Sequence, residues 1–173
     1  GGGSAGGHVA ASTGTLPKHD EPGEDMKISS VPNAMVLYNP VLITAEAKGL
    51  KTFGGDRLER LKKRLGVEAP TTLSPYHNIR KGLPSSLVIH GRGDTTVPFL
   101  TAEMFVKQSV KAGLRSELAG YEDMPHGFFN LGRYDNKMFL ATVTRMHEFL
   151  KSLGYVKGKP TVDRFLKRLA KGK

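Results

Sequence analysis

Three side chains of types able to perform covalent chemistry occur in contexts that would expose them: Ser4, Asp94 and His126. Ser4 lies in Gly2-Gly3-Ser4-Ala5-Gly6, a G-x-S-x-G match. In such an elbow the glycines permit a strained strand-to-helix turn that lifts the serine hydroxyl above a sheet. A neutral serine is a poor nucleophile. It needs a base within hydrogen-bond reach, and the base needs a carboxylate to hold its tautomer and stabilise the imidazolium that forms. Asp94 and His126 are candidates for acid and base, and the N–H of Ala5, next after the nucleophile, is a candidate oxyanion donor.

Each signal has a bland reading when taken singly. The chain holds 21 glycines, and its opening run also fits a flexible linker. Gly93-Asp94 fits a turn in which the carboxylate satisfies backbone donors, and Arg92-Gly93-Asp94 spells an adhesion tripeptide that the turn itself explains. An isolated histidine such as His126 is commonly a surface or core filler. What joins the three is their order, Ser, Asp, His, with each at the junction of a strand and a loop.

The positioning elements follow from pattern. Ala34-Met35-Val36-Leu37-Tyr38, stopped by Asn39-Pro40, is a continuous apolar run expected of a strand buried on both faces of a parallel sheet. Ser85 to His90 reads as a second core strand running into the turn at Gly91-Arg92-Gly93-Asp94, with a helix from Pro98 to about Ala112-Gly113. Ser116 to Tyr121 reads as a third strand. His126 then sits in a loop between Pro125 and Gly127, and a helix from about Asn136 to Leu153 carries Phe139, Val143, Met146, Phe149, Leu150 and Leu153 at helical spacing before Gly154. His8 to Thr13 reads as a short helix ended by Gly14 and Pro17, and residues 14–33 as a loop. A helix opened by the pair Asp56 and Glu59 would place Leu58, Leu61 and Leu65 on one face and a wet basic surface on the other. Alternation of strand and helix implies an α/β fold with a mostly parallel sheet.

With these motifs together, Gly2 through His8 resembles the nucleophile elbow of bacterial α/β-hydrolase esterases of the acetyl-xylan-esterase-like, feruloyl-esterase-like and hormone-sensitive-lipase-like group. Gly82-Leu83-Pro84 through His90-Gly91-Arg92-Gly93-Asp94-Thr95-Thr96-Val97-Pro98-Phe99 resembles their strand and acid turn, and Tyr121 through Phe129 their histidine loop. The resemblance runs from residue 1 to about 154 and implies the C-terminal portion of the α/β-hydrolase fold, flanked by helices. It also implies an ester hydrolase acting through an acyl-enzyme on short, acetyl-type esters, including those of carbohydrates. No cofactor or metal is called for. Two features depart from the family: Arg92 stands where an acidic or small residue is usual, making the rim more basic, and the H-G-G-type loop giving a second oxyanion donor would precede Ser4. The expectation is a piece of a longer enzyme, poorly active alone, whose partner is the N-terminal half of the same fold. Residues 1–156 would belong to the hydrolase domain, with 43–75 as a cap-like insertion shaping the cleft, and 157–173 would form a basic C-terminal helix or tail.

Composition narrows the alternatives. Hydrophobic residues at 38% and charged residues at 24% of a 173-residue chain suit one soluble domain, and no apolar run approaches membrane-spanning length. The net charge of +10 is concentrated from Lys157 onward, where seven basic residues stand against Asp163, leaving +4 for the rest. No basic stripe interleaved with aromatics accompanies it, so nucleic-acid binding is not expected. The lack of cysteine excludes disulfides and thiolate sites but fixes no compartment, and no targeting signal can be read. His147-Glu148 begins a zinc-protease helix motif that fails at Lys151. His8 is expected in packing or support of the site, His77, His90 and His147 in structural roles, and Phe128 and Phe129 in an acyl pocket or in core packing. Two other functions stay open: a peptidase of the prolyl-oligopeptidase type, and a non-catalytic scaffold using the stripe Val162, Phe165, Leu166 and Leu169.

Overall fold

A computed structural model describes residues 1–173 except 17, 18, 26, 51–58, 61, 62, 65, 67–69 and 173. The chain divides into two compact units, Gly1–His126 and Gly127–Lys173.

Among its described residues the first unit holds four strands, β1 (Gly2–Gly3), β2 (Ala34–Tyr38), β3 (Ser85–Gly91) and β4 (Ser116–Tyr121), in the order β1-β2-β3-β4 with every pairing parallel. The three strands expected from apolar runs form as expected, with Leu37 beside Val88 and Leu87 beside Glu117. Helix α1 (Ala5–Thr15) connects β1 towards β2, and α2 (Phe99–Lys111) connects β3 to β4. The core gathers Met35 and Leu37 of β2, Val88 of β3, Leu42 and Ile43 after β2, Ala11 of α1 and Ala102 and Phe105 of α2. Successive strand side chains alternate faces. Val36, Leu87 and Ile89 are nevertheless buried too, so β2 and β3 are enclosed on both sides, as continuous apolar runs require.

Helix α1 begins at Ala5, three residues before the expected start, and runs through Gly14 to Thr15. Its interior glycines weaken the propensity signal, but two of them, Gly7 and Gly14, stand where a side chain would be crowded. A Cβ on Gly7 would lie 2.9 Å from the Pro40 side chain, and one on Gly14 2.9 Å from the Met35 sulfur.

The predicted capping pair Asp56/Glu59 and the apolar face Leu58, Leu61 and Leu65 lie, apart from Glu59, outside the described residues; Glu59, Arg60, Lys63 and Arg64 are helical. Ser74 and His77 are joined to Thr44 and Glu46: Ser74 Oγ accepts the Thr44 N–H at 3.3 Å and is 2.8 Å from His77 Nδ1, and His77 Nε2 is 3.0 Å from the Glu46 carbonyl. These bonds give His77 the structural role expected of it.

The second unit contains α3 (Lys137–Ser152) and α4 (Val162–Lys171). Gly154, at φ +83°, ends α3 as predicted, its N–H bonding Lys151 O while Tyr155 N–H bonds Leu150 O. Phe139 of α3 and Phe165 of α4 pack with ring centres 6.3 Å apart. Phe128 and Phe129 form an edge-to-face pair in the same unit. No helix among the described residues is long and apolar enough to cross a membrane.

Candidate active site

Because all four strands are parallel, their C-terminal ends share one edge of the sheet, where open α/β sheets place functional side chains. Each strand end delivers one polar residue there. Ser4 follows β1 directly, Asn39 follows β2, Asp94 lies three residues past β3, and His126 five past β4.

Ser4 has φ 54° and ψ −121°, a conformation that costs free energy and persists only where the surroundings enforce it. They do so here. Its N–H bonds Tyr38 O at 2.9 Å, and its own carbonyl accepts the His8 N–H at 3.1 Å as the first turn of α1 closes. A Cβ on Gly2 would collide with the Gly6 carbonyl, whereas one on Gly6 would meet nothing within 4 Å. The first glycine of the motif is therefore needed for close approach, and the second supplies the carbonyl being approached.

Ser4, His126 and Asp94 are brought into one hydrogen-bonded chain: His126 Nε2 lies 2.9 Å from Ser4 Oγ, and His126 Nδ1 lies 2.7 Å from Asp94 Oδ2. With Nδ1–H donating to the carboxylate, Nε2 carries the lone pair that faces the serine proton. Asp94 Oδ1 accepts two further backbone N–H bonds, from Thr96 and Val97, each at 2.8 Å. Burial works to raise the pKa of Asp94, but the Val97 N–H and the donors on His126 and Asn39 outweigh it and hold the group below the usual carboxylate range. Asp94 is thus an anion poised to stabilise an imidazolium.

Asn39 is a site residue that the sequence reading treated only as a strand stop. Its side-chain amide donates to Asp94 Oδ2, both side chains are buried, and its φ of 41° is one Asn tolerates better than most residues. The available signal was its position: a polar residue immediately after a core strand, on the edge that collects Ser4 and Asp94.

His90, expected in a structural role, stands beside the Asp94 carboxylate. Its Nε2 lies 2.9 Å from Val97 O and 3.3 Å from Asp94 Oδ2, and its ring meets Phe99 edge to face. Donation from Nε2 to the Val97 carbonyl leaves Nδ1 as the lone-pair nitrogen, buried and without a hydrogen-bond partner among the described residues. Burial lowers the His90 pKa, so the ring stands as a neutral wall beside the carboxylate. Arg92 does not leave the rim basic. It pairs with Glu122 at 2.6 Å and lies 3.8 Å from Glu103, its guanidinium covering the Phe99 ring.

Ser4 and Ala5 open onto a cavity of about 720 Å³ walled by residues 41–44 and 96–98, by His8 and Thr101, and by Arg60 and Arg64. Ala5 is the first residue of α1, and the opening N–H groups of a helix have no intrahelical carbonyl to bond and sit at the positive end of its dipole. Such groups suit a developing oxyanion. His8 Nε2 bonds the Leu73 carbonyl at 2.8 Å, which fixes the ring at the cavity wall. Tyr38, whose carbonyl anchors Ser4, has its hydroxyl pKa pushed up to about 12, by burial first and by nearby Tyr121 second.

No family model and no curated protein matches the chain. Among solved structures it is similar to a thermophilic esterase, Est2, from the planctomycete Thermogutta terrifontis. The native form is 49% identical, with a TM-score of 0.81 over 91% of this chain and 55% of that one. The form phosphonylated by sarin is 47% identical, with a TM-score of 0.83 over 91% of this chain and 57% of that one. The propionate-bound form is 48% identical, with a TM-score of 0.81 over 92% and 57%. The chain thus spans little more than half the length of the esterase it matches.

Proposed function

We propose, from the premise that this chain is the C-terminal part of an α/β-hydrolase fold, that it carries the catalytic triad of a serine carboxylesterase, with Ser4 as nucleophile, His126 as base and Asp94 as acid. The observation that carries the reading is the unbroken path Ser4–His126–Asp94, at 2.9 and 2.7 Å, on a strained elbow opening into a cavity. Ser4 Oγ attacks the ester carbonyl while its proton passes to His126 Nε2, and Asp94 stabilises the resulting imidazolium. The carbonyl oxygen becomes an oxyanion received by the Ala5 N–H. Collapse expels the alkoxide, which takes the proton from His126, and leaves an acyl-serine. Water then repeats the cycle, giving up a proton to His126 and releasing the carboxylic acid and Ser4.

The likeness to an esterase that sarin phosphonylates and paraoxon phosphorylates supports an activated nucleophile of this kind. Forms of that esterase with propionate and with butyrate bound support short acyl chains. Acetylated carbohydrate rests on the sequence resemblance, and acetylated xylan assayed beside 4-nitrophenyl acetate tests it. The test of the reading itself is labelling by a fluorophosphonate probe together with 4-nitrophenyl acetate hydrolysis, for the chain alone and co-expressed with the N-terminal half of the fold. We expect labelling that Ser4→Ala and His126→Ala abolish, and turnover that is weak alone and rises on co-expression. Absence of both in the folded, co-expressed protein would refute the assignment.

A further inference from the structure

We infer that the cavity beside Ser4 selects esters carrying a carboxylate, held by Arg60 and Arg64; this rests on the esterase reading above. Most of the cavity wall is apolar, contributed by Val41, Leu42, Ile43, Val97 and Pro98. Those side chains suffice for a short neutral acyl group and give the two arginines nothing to do. Both nevertheless line the cavity that Ser4 lines.

Their place on the cavity wall separates them from the other exposed arginines. Arg92 and Arg115 are each paired with a glutamate. Arg60 and Arg64 are exposed, and neither forms an ion pair among the described residues. Both are helical, lie four positions apart in the sequence and border the one cavity. Two guanidinium forks on the wall of one cavity suit a carboxylate ligand, since each offers paired N–H donors matched to its two oxygens. The apolar walls strengthen that attraction, because the field of a charge is screened less beside low-dielectric surface than in open water. A neutral ester gains nothing from this arrangement, so the discrimination falls on the charge.

The test compares 4-nitrophenyl acetate with the mono-4-nitrophenyl ester of glutaric acid, in the protein and in Arg60→Gln/Arg64→Gln. The ratio of kcat/KM for the anionic ester to that for the neutral one should fall by about tenfold or more in the double variant, the scale expected for losing charge-assisted hydrogen bonds. An unchanged ratio overturns the inference. Binding is measured independently of turnover by titrating monomethyl glutarate into Ser4→Ala by calorimetry. Binding that weakens about tenfold or more when both arginines are also replaced supports the anion site, even if neither ester is hydrolysed, in which case the esterase reading alone fails. No binding to Ser4→Ala, in a protein that hydrolyses the acetate ester, sinks the anion site and leaves the esterase reading intact.

Discussion

Asn39 offers the sharpest test of how the site is held. Its amide is one of four donors on the Asp94 carboxylate, the others being His126 Nδ1 and the backbone N–H groups of Thr96 and Val97. Asn39 is wholly buried and Asp94 is 6% exposed, so water cannot readily replace a lost donor. A hydrogen bond to a charged group in such a place contributes about 1.5–3 kcal/mol. Asn39 Oδ1 makes no hydrogen bond among the described residues, so truncation strands no donor there. The backbone at φ 41° separates two truncations. Asn39→Gly keeps the left-handed conformation freely, whereas Asn39→Ala adds roughly 1–2 kcal/mol of steric strain. Urea unfolding should therefore rank wild type above both variants, and the alanine variant should lose more than the bond alone explains. Because about 1.36 kcal/mol is tenfold in rate, kcat on 4-nitrophenyl acetate should fall about tenfold or somewhat more in Asn39→Gly, with KM changed far less. The acid limb moves as well. A carboxylate whose folded pKa is depressed contributes stability present above its unfolded pKa and lost as pH falls through the folded one. Without the Asn39 donor the folded pKa of Asp94 rises, so its contribution to stability is smaller and its loss is complete at a higher pH. A folded Asn39→Gly with kcat within about twofold of wild type and an unmoved acid limb would refute a positioning role.

Other substitutions probe the frame. A Cβ on Gly91 would collide with the Met124 carbonyl, two residues before His126, so Gly91→Ala should displace the histidine loop and lower kcat by about tenfold or more while the protein stays folded by circular dichroism. Asp94→Asn should cut kcat by about 10⁴-fold, since an amide neither holds the tautomer nor stabilises imidazolium. Its stability deficit against wild type, read by urea unfolding, should be present above about pH 4 and shrink as pH falls through the depressed folded pKa of Asp94. Leu37→Ala removes a fully buried side chain from β2 and should cost about 2–5 kcal/mol in the same assay.

What could be read from the sequence, and what could not, divides along local and non-local information. The runs Ala34 to Tyr38 and Ser85 to His90 announce core strands because continuous apolar sequence has few homes outside a parallel sheet, and α3 is visible in its helical spacing. β1 is two glycines with no side chains to pattern, and it is recognised as a strand only through its pairing with Leu37 and Tyr38. Glycines also concealed the start of α1, since propensity argues against a helix through Gly6 and Gly7 and only contact with Pro40 explains it. Ser4, Asp94 and His126 could be singled out because their chemistry has a known order along the chain. Asn39 and His90 could not, because their nearness to Asp94 depends on the register that sets Tyr38 beside Ile89. Arg60 and Arg64 looked like a solvated helix face, which they also are; that this face borders the cavity is a tertiary fact.

The site's economy lies in where strain is held. Ser4 and Asn39 adopt positive φ at the ends of adjacent parallel strands, and each is pinned by a backbone bond across the sheet, Ser4 N to Tyr38 O and Asn39 N to Ile89 O. Those bonds form only when β1, β2 and β3 are in register, so the free energy that distorts the nucleophile and its support is drawn from the buried strands rather than from the loops. His126 contributes no such strain. It reaches the site from a loop that Gly91 and Gly93 allow to press against β3 through Asp123 and Met124. The serine and the carboxylate are therefore set by sheet geometry and the base by loop packing, which makes His126 the member of the three whose position a distant substitution can disturb without unfolding the sheet.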